Sequence, residues 1–115
     1  MELNFKNGIV NHVNNLNELG YLLNNVDETQ IIVLDFSATW CGPCQSIKPV
    51  YKRLSKEFPR ILFIEIDYEK NKEIEEKFKI KGFPTFIFIQ NNTVLKKFSG
   101  ADVNKLENTL LEISE

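Results

Sequence analysis

Six consecutive residues, Ile31-Ile32-Val33-Leu34-Asp35-Phe36, are apolar but for one aspartate. So short and uniform a run has no wet side, and it reads as a strand covered on both faces. Covering both faces takes helices above and below a sheet, and the rest of the chain supplies them. Asn15, with Glu18 three residues later, reads as a helix start of capping-box type. Leu16, Leu19, Leu22, Leu23 and Val26 then keep one face apolar at helical spacing, with Gly20 weakening the helix by about 1 kcal/mol relative to Ala. Ile47, Val50, Tyr51, Leu54 and Phe58 mark a long helix from Cys41 to Glu57, with Pro49 expected to kink it.

Ile61 to Asp67 reads as another strand, and Glu69 to Phe78 as a charged helix burying Ile74 and Phe78. Pro84 opens a strand from Thr85 to Gln90, Asn91-Asn92 signals a turn, and Thr93 to Phe98 returns. Asp102 caps a last helix carrying Val103, Leu106, Leu110 and Ile113 on one face. With a short strand at Ile9 to Val13, the order is β-α-β-α-β-α-β-β-α, an α/β chain. Alternating elements imply parallel crossovers, and the terminal hairpin adds an antiparallel edge, giving a mixed sheet with helices on both faces.

Composition narrows the function classes. A length of 115 residues predicts one domain, residues 1–115, and 43% apolar residues with nine Phe suffice for its core. The purely apolar run Ile31–Leu34 is far short of the roughly 18 residues a membrane helix needs, so no membrane role is expected. Fourteen Lys and Arg against 16 Asp and Glu leave a net charge of −2 and no basic stripe, so no nucleic-acid partner is expected either. The start, MELNFKNG, carries neither a basic flank with an apolar stretch nor an Arg/Ser-rich amphipathic pattern. A cytoplasmic location is therefore expected. The Asn-rich first 25 residues carry no chemistry of their own.

The chemistry lies in Asp35-Phe36-Ser37-Ala38-Thr39-Trp40-Cys41-Gly42-Pro43-Cys44, where a central strand ends and a helix begins. Cys41 falls at or next to the first helical position, where unpaired amides and the positive dipole end stabilise a thiolate. That dipole is worth up to about 2 kcal/mol. At about 1.4 kcal/mol per pH unit, this carries an ordinary thiol from about 8.5 toward neutrality. No catalytic histidine is required, and the only one, His12, is far off in sequence. Cys44, three residues on, faces the same side of the first turn, near enough to close a disulfide.

The residues alone leave other readings open. The two cysteines, the only ones in the chain, can be half of a zinc site, which wants four ligands, or an inert structural disulfide. Asp35 inside an apolar strand reads as a perturbed acid, although an acid near a strand end is usually solvated. Trp40 is compatible with ordinary core, and Pro84 with the simple start of an edge strand. The Glu/Lys alternation from Glu65 to Lys81 reads as a solvated helix face, and the spacing leaves open whether Lys48 lies near Asp35.

DFSATWCGPC resembles the active-site segment of thioredoxins. GFPTF (Gly82 to Phe86) matches that family's cis-proline segment, and FSGAD (Phe98 to Asp102) before a short helix resembles the end of its eukaryotic-type members. The similarity covers nearly the whole chain. It implies a thioredoxin fold, a central mixed five-stranded sheet flanked by four helices, and a protein-disulfide reductase. Cys41 would attack a substrate disulfide and Cys44 would resolve the mixed disulfide. Asp35 would exchange a proton with Cys44, its proton affinity raised by burial beside the thiols. Trp40, Gly42, Pro43, Phe83, Pro84 and Gly100 would form an apolar face for an extended substrate, with the Phe83 backbone pairing in strand fashion.

The resemblance also implies a monomer with no cofactor of its own, acting on protein disulfides. Electrons would come from an NADPH-dependent flavin thioredoxin reductase, since no Rossmann glycine fingerprint is present. Departures are Gln45, where many relatives have Lys, Phe83, bulkier than the usual residue, and the lack of the extra cysteines of some animal relatives. Competing functions are a non-catalytic module that holds a partner on this face, and an oxidase or isomerase. The latter is disfavoured by Gly-Pro between the cysteines, where the family's isomerases usually carry Gly-His.

Overall fold

Strand β2 (Ile31–Ser37) lies at the centre of a five-stranded sheet of order β1-β3-β2-β4-β5. The structure, a computed structural model, describes residues 4–115. The other strands are β1 (Val10–His12), β3 (Ile61–Asp67), β4 (Thr85–Gln90) and β5 (Thr93–Ser99). The helices are α1 (Leu16–Asn25), α2 (Gly42–Glu57), α3 (Lys72–Phe78) and α4 (Val103–Ile113). β2 and β1 both run parallel to β3, whereas β4 is antiparallel to both β2 and β5. The expected mixed sheet is therefore present, with four helices.

Period-two alternation splits the core into two layers. Ile32, Leu34 and Phe36 face one way, with Ile64, Ile66 and Ile87, and pack with Leu19, Leu22 and Ile74 of α1 and α3. Val33 faces the other way, with Phe63, Phe86 and Phe88, and packs with Ile47, Tyr51 and Leu54 of α2 and Leu106 and Leu110 of α4. Asp35 shares the face of Val33. Register then aligns one residue from each strand into a row, His12–Glu65–Asp35–Phe86–Phe98. Over this row the Tyr51 hydroxyl donates to the carbonyls of Val33 and Ile64, at 3.1 and 2.8 Å, tying α2 to β2 and β3.

The sheet's two edges differ. β1 has three residues, whereas β5 is largely exposed, with Lys96 and Lys97 at its middle and a bulge opposite Phe88/Ile89. Lys97 also donates to the Phe78 carbonyl at the end of α3, where the helix dipole favours a cation.

Several local expectations shift. Asn15 caps α1 by accepting from the Glu18 amide at 2.9 Å, but the Glu18 carboxylate reaches back to the Asn14 amide rather than to Asn15, so the box is offset by one residue. The charged helix expected from Glu69 is broken. A 3₁₀ turn (Tyr68–Lys70) comes first, and α3 starts after Asn71, whose buried side chain donates to the Val13 and Asp67 carbonyls. Glu65 is corrected outright. It belongs to β3, and its side chain keeps 13% of its surface, so it is no part of a solvated helix face.

Candidate active site

The junction between β2 and α2 builds the site from backbone geometry. Cys41 is the N-cap of α2, in extended conformation, and its carbonyl accepts from the Gln45 amide at 3.2 Å. Gly42 and Pro43 occupy the first two helical positions, where a missing proline N–H costs nothing. The third amide, that of Cys44, donates to Cys41 Sγ at 3.2 Å, as a serine or aspartate cap would be addressed. The expectation of a sulfur at the open end of a helix is met at the cap itself. Cys41 and Cys44 are joined as a disulfide, with Cα atoms 5.3 Å apart. Cys41 keeps 6% of its surface and Cys44 1%, so both are buried and the first is the more accessible.

Gln45 is exposed but folds its side-chain amide back to donate to the Ala38 carbonyl at 3.0 Å, pinning the loop ahead of Cys41. Opposite, the Phe83–Pro84 peptide is cis, and the Phe83 carbonyl lies 3.6 Å from Cys41 Sγ. The Gly100 amide donates to the Pro84 carbonyl at 2.8 Å, bringing the end of β5 to the same place. Gly100 does so at φ +108°, a conformation that side-chain-bearing residues rarely adopt.

Trp40 is not core. It stands 64% exposed, its ring edge-on to Phe83 at 5.6 Å and to Tyr68 at 6.4 Å. Tyr68 and Phe83 are themselves 5.1 Å apart and pack against the disulfide, and Trp40 extends this aromatic wall outward. The sequence reading missed Tyr68. Its signal was positional, since it directly follows β3, the strand beside β2, at the carboxyl end where sites gather. Thr39 and Glu69 are hydrogen-bonded and fasten the Trp40 loop to the 3₁₀ turn that carries Tyr68.

Asp35 keeps 1% of its surface, and its Oδ1 has no hydrogen-bond partner among the described residues. Desolvation holds its carboxyl well above the usual carboxylate range; the negative charge of Glu65 adds to this and Lys48 opposes it. Lys48 is thus near the acid, with its Nζ 3.7 Å from Glu65 Oε1. Tyr51 is raised well above an ordinary phenol, first by burial and then by Asp35 and Glu65, and stays a neutral donor. His12 is brought back into the neighbourhood, its Nδ1 3.6 Å from the same Glu65 oxygen.

A cysteine pair that opens and closes at a helix N-terminus, on the carboxyl end of a central strand and against a cis-proline turn, defines a dithiol–disulfide oxidoreductase of thioredoxin fold. The thioredoxin family model matches residues 12–112, and the chain belongs to the thioredoxin family. A thioredoxin of Ophiophagus hannah is 40% identical over 102 residues, covering 89% of this chain and 96% of that one. A reduced thioredoxin pre-protein of Schistosoma mansoni superposes with a TM-score of 0.85 at 32% identity, covering 91% of this chain and 98% of that one. A further neighbour is a structure of ferredoxin:thioredoxin reductase in complex with thioredoxin f2. It has a TM-score of 0.86 and 28% identity, covering 96% of this chain and 99% of that one.

Proposed function

We propose that this chain runs chiefly in the reducing direction, as a monomeric reductase of protein disulfides in the cytosol. The observation that carries this reading is the Cys44 amide on Cys41 Sγ at the open end of α2. Those donors, fixed in place before reaction, stabilise a thiolate on Cys41. The thiolate attacks one sulfur of a substrate disulfide. A Cys41–substrate bond forms, the substrate S–S bond breaks, and the second substrate sulfur leaves as a thiolate that takes up a proton.

Cys44 then gives its proton to the Asp35 carboxylate and attacks Cys41 Sγ. This closes the ring and releases the first substrate sulfur reduced. A buried acid whose proton affinity is raised by desolvation suits this transfer. Trp40, Gly42, Pro43, Phe83, Pro84 and Gly100 receive the substrate segment, with Tyr68 added to the aromatic wall. Two electrons and two protons then restore the dithiol, supplied by an NADPH-dependent flavin reductase. The neighbour solved with ferredoxin:thioredoxin reductase supports a reductase partner of some kind.

The test is insulin disulfide reduction coupled to NADPH consumption by a thioredoxin reductase. Cys41→Ser is expected to abolish turnover. Cys44→Ser is expected to accumulate a one-to-one mixed disulfide visible by mass spectrometry. Full turnover by the Cys41→Ser protein would eliminate the mechanism.

A further inference from the structure

Asp35 is buried, yet a base that turns over must be set against the charges around it, and the cross-strand row puts those charges in order. Glu65 is the register partner of Asp35 on one side and of His12 on the other, and all three side chains share a face. Parallel strands lie about 4.8 Å apart, so Glu65 is the nearest ionisable neighbour of Asp35 within the sheet. The Glu65 carboxylate ends in a groove of about 350 Å³ between β1 and α2, whose mouth holds His12. His12 Nδ1 and Lys48 Nζ approach the same Glu65 oxygen, at 3.6 and 3.7 Å. β4 brings only Phe86 to the row, and from α2 the groups turned to it are Lys48, the neutral Tyr51 hydroxyl and, further along the groove, Lys52 and Lys56.

We propose that His12 is a positioning residue for the disulfide exchange: by pairing with Glu65 when protonated, it sets the negative charge that faces Asp35. The inference rests on Asp35 being the base for Cys44. Protonated His12 neutralises part of Glu65, so Asp35 releases its proton more readily. Neutral His12 leaves Glu65 facing Asp35, with Lys48 as its remaining close cation, and Asp35 holds its proton more tightly. The enzyme thereby keeps more of its base ionised on the acid side than an isolated buried carboxyl would.

The experiment mixes reduced protein with oxidised glutathione and follows the concentration-independent phase, in which Cys44 resolves the Cys41 mixed disulfide, at pH 6 and pH 8. His12→Gln is expected to lower the pH 6 to pH 8 rate ratio about two- to fourfold, the size of a partly exposed ion pair. Glu65→Gln is expected to raise the ratio, and adding His12→Gln to it to change nothing further. An unaltered ratio in His12→Gln, or an equal drop in the Glu65→Gln background, overturns the proposal. Asp35→Asn separates the two readings. It should slow this phase and move its rise to higher pH. If it does so while His12→Gln matches the parent, only the role of His12 falls. If Asp35→Asn keeps the parent profile, both readings fall.

Discussion

Asp35 has an unusual effect on stability for a residue at the heart of a site. Burial first, and Glu65 second, raise its proton affinity in the folded chain above its unfolded value near 4. A raised folded-state value means that the native state is favoured fully below about pH 4 and loses that advantage as pH climbs through the folded value. Asp35→Asn removes the charge. Its Tm should lie close to the parent's at pH 4 and above it at pH 8, by about 4–8 °C for each kcal/mol relieved. Melts at the two pH values check this, and an equal gain at both would contradict it. Tyr51→Phe works the other way. It leaves the Val33 and Ile64 carbonyls without their side-chain donor and should cost about 1–3 kcal/mol, read as a lower urea midpoint at unchanged slope. At this scale legibility was uneven. Asp35 stood out because it interrupts an apolar run. Glu65 did not, because Asp67, Glu69 and Lys70 follow it and make the stretch look solvated. Its burial is made by register with Asp35 and by Lys48 overhead, neither of which is local in sequence.

Among the elements, the long ones were readable from periodicity, and the turns between them were readable only where one residue dominates. β2, α2 and α4 follow directly from their apolar residues, and the hairpin from its Asn91-Asn92 turn. α3 does not, because Asn71 spends its side chain on two carbonyls and breaks the helix that the charge pattern suggests. Gly100 shows the reverse case, where one backbone conformation holds two elements together. Gly100→Ala forces a side chain into φ +108° and strains the contact to the Pro84 carbonyl. The expected loss is about 1–3 kcal/mol of stability, by chemical denaturation, together with a raised KM for insulin. The aromatic wall was half legible. Trp40 and Phe83 lie in recognisable segments, but Tyr68 joins them only because β3 ends beside β2.

For the molecule as a whole, two layers of core make the disulfide dispensable to folding. A ring closed over four residues removes chain entropy worth about 2 kcal/mol, a minor share beside a buried core of this extent. The reduced protein should therefore melt cooperatively, with its Tm lowered and its far-ultraviolet circular dichroism retained. A chain that unfolded on reduction would need its disulfide as a staple and be unable to cycle. The outer rim of β5 bears on the same point. A bare strand rim invites another copy to add on and extend without limit. Here the bulge disturbs the spacing that an incoming chain would copy, and the exposed Lys96 adds a charge beside it. The rim of β5 thus disfavours edge-to-edge pairing between copies of this chain.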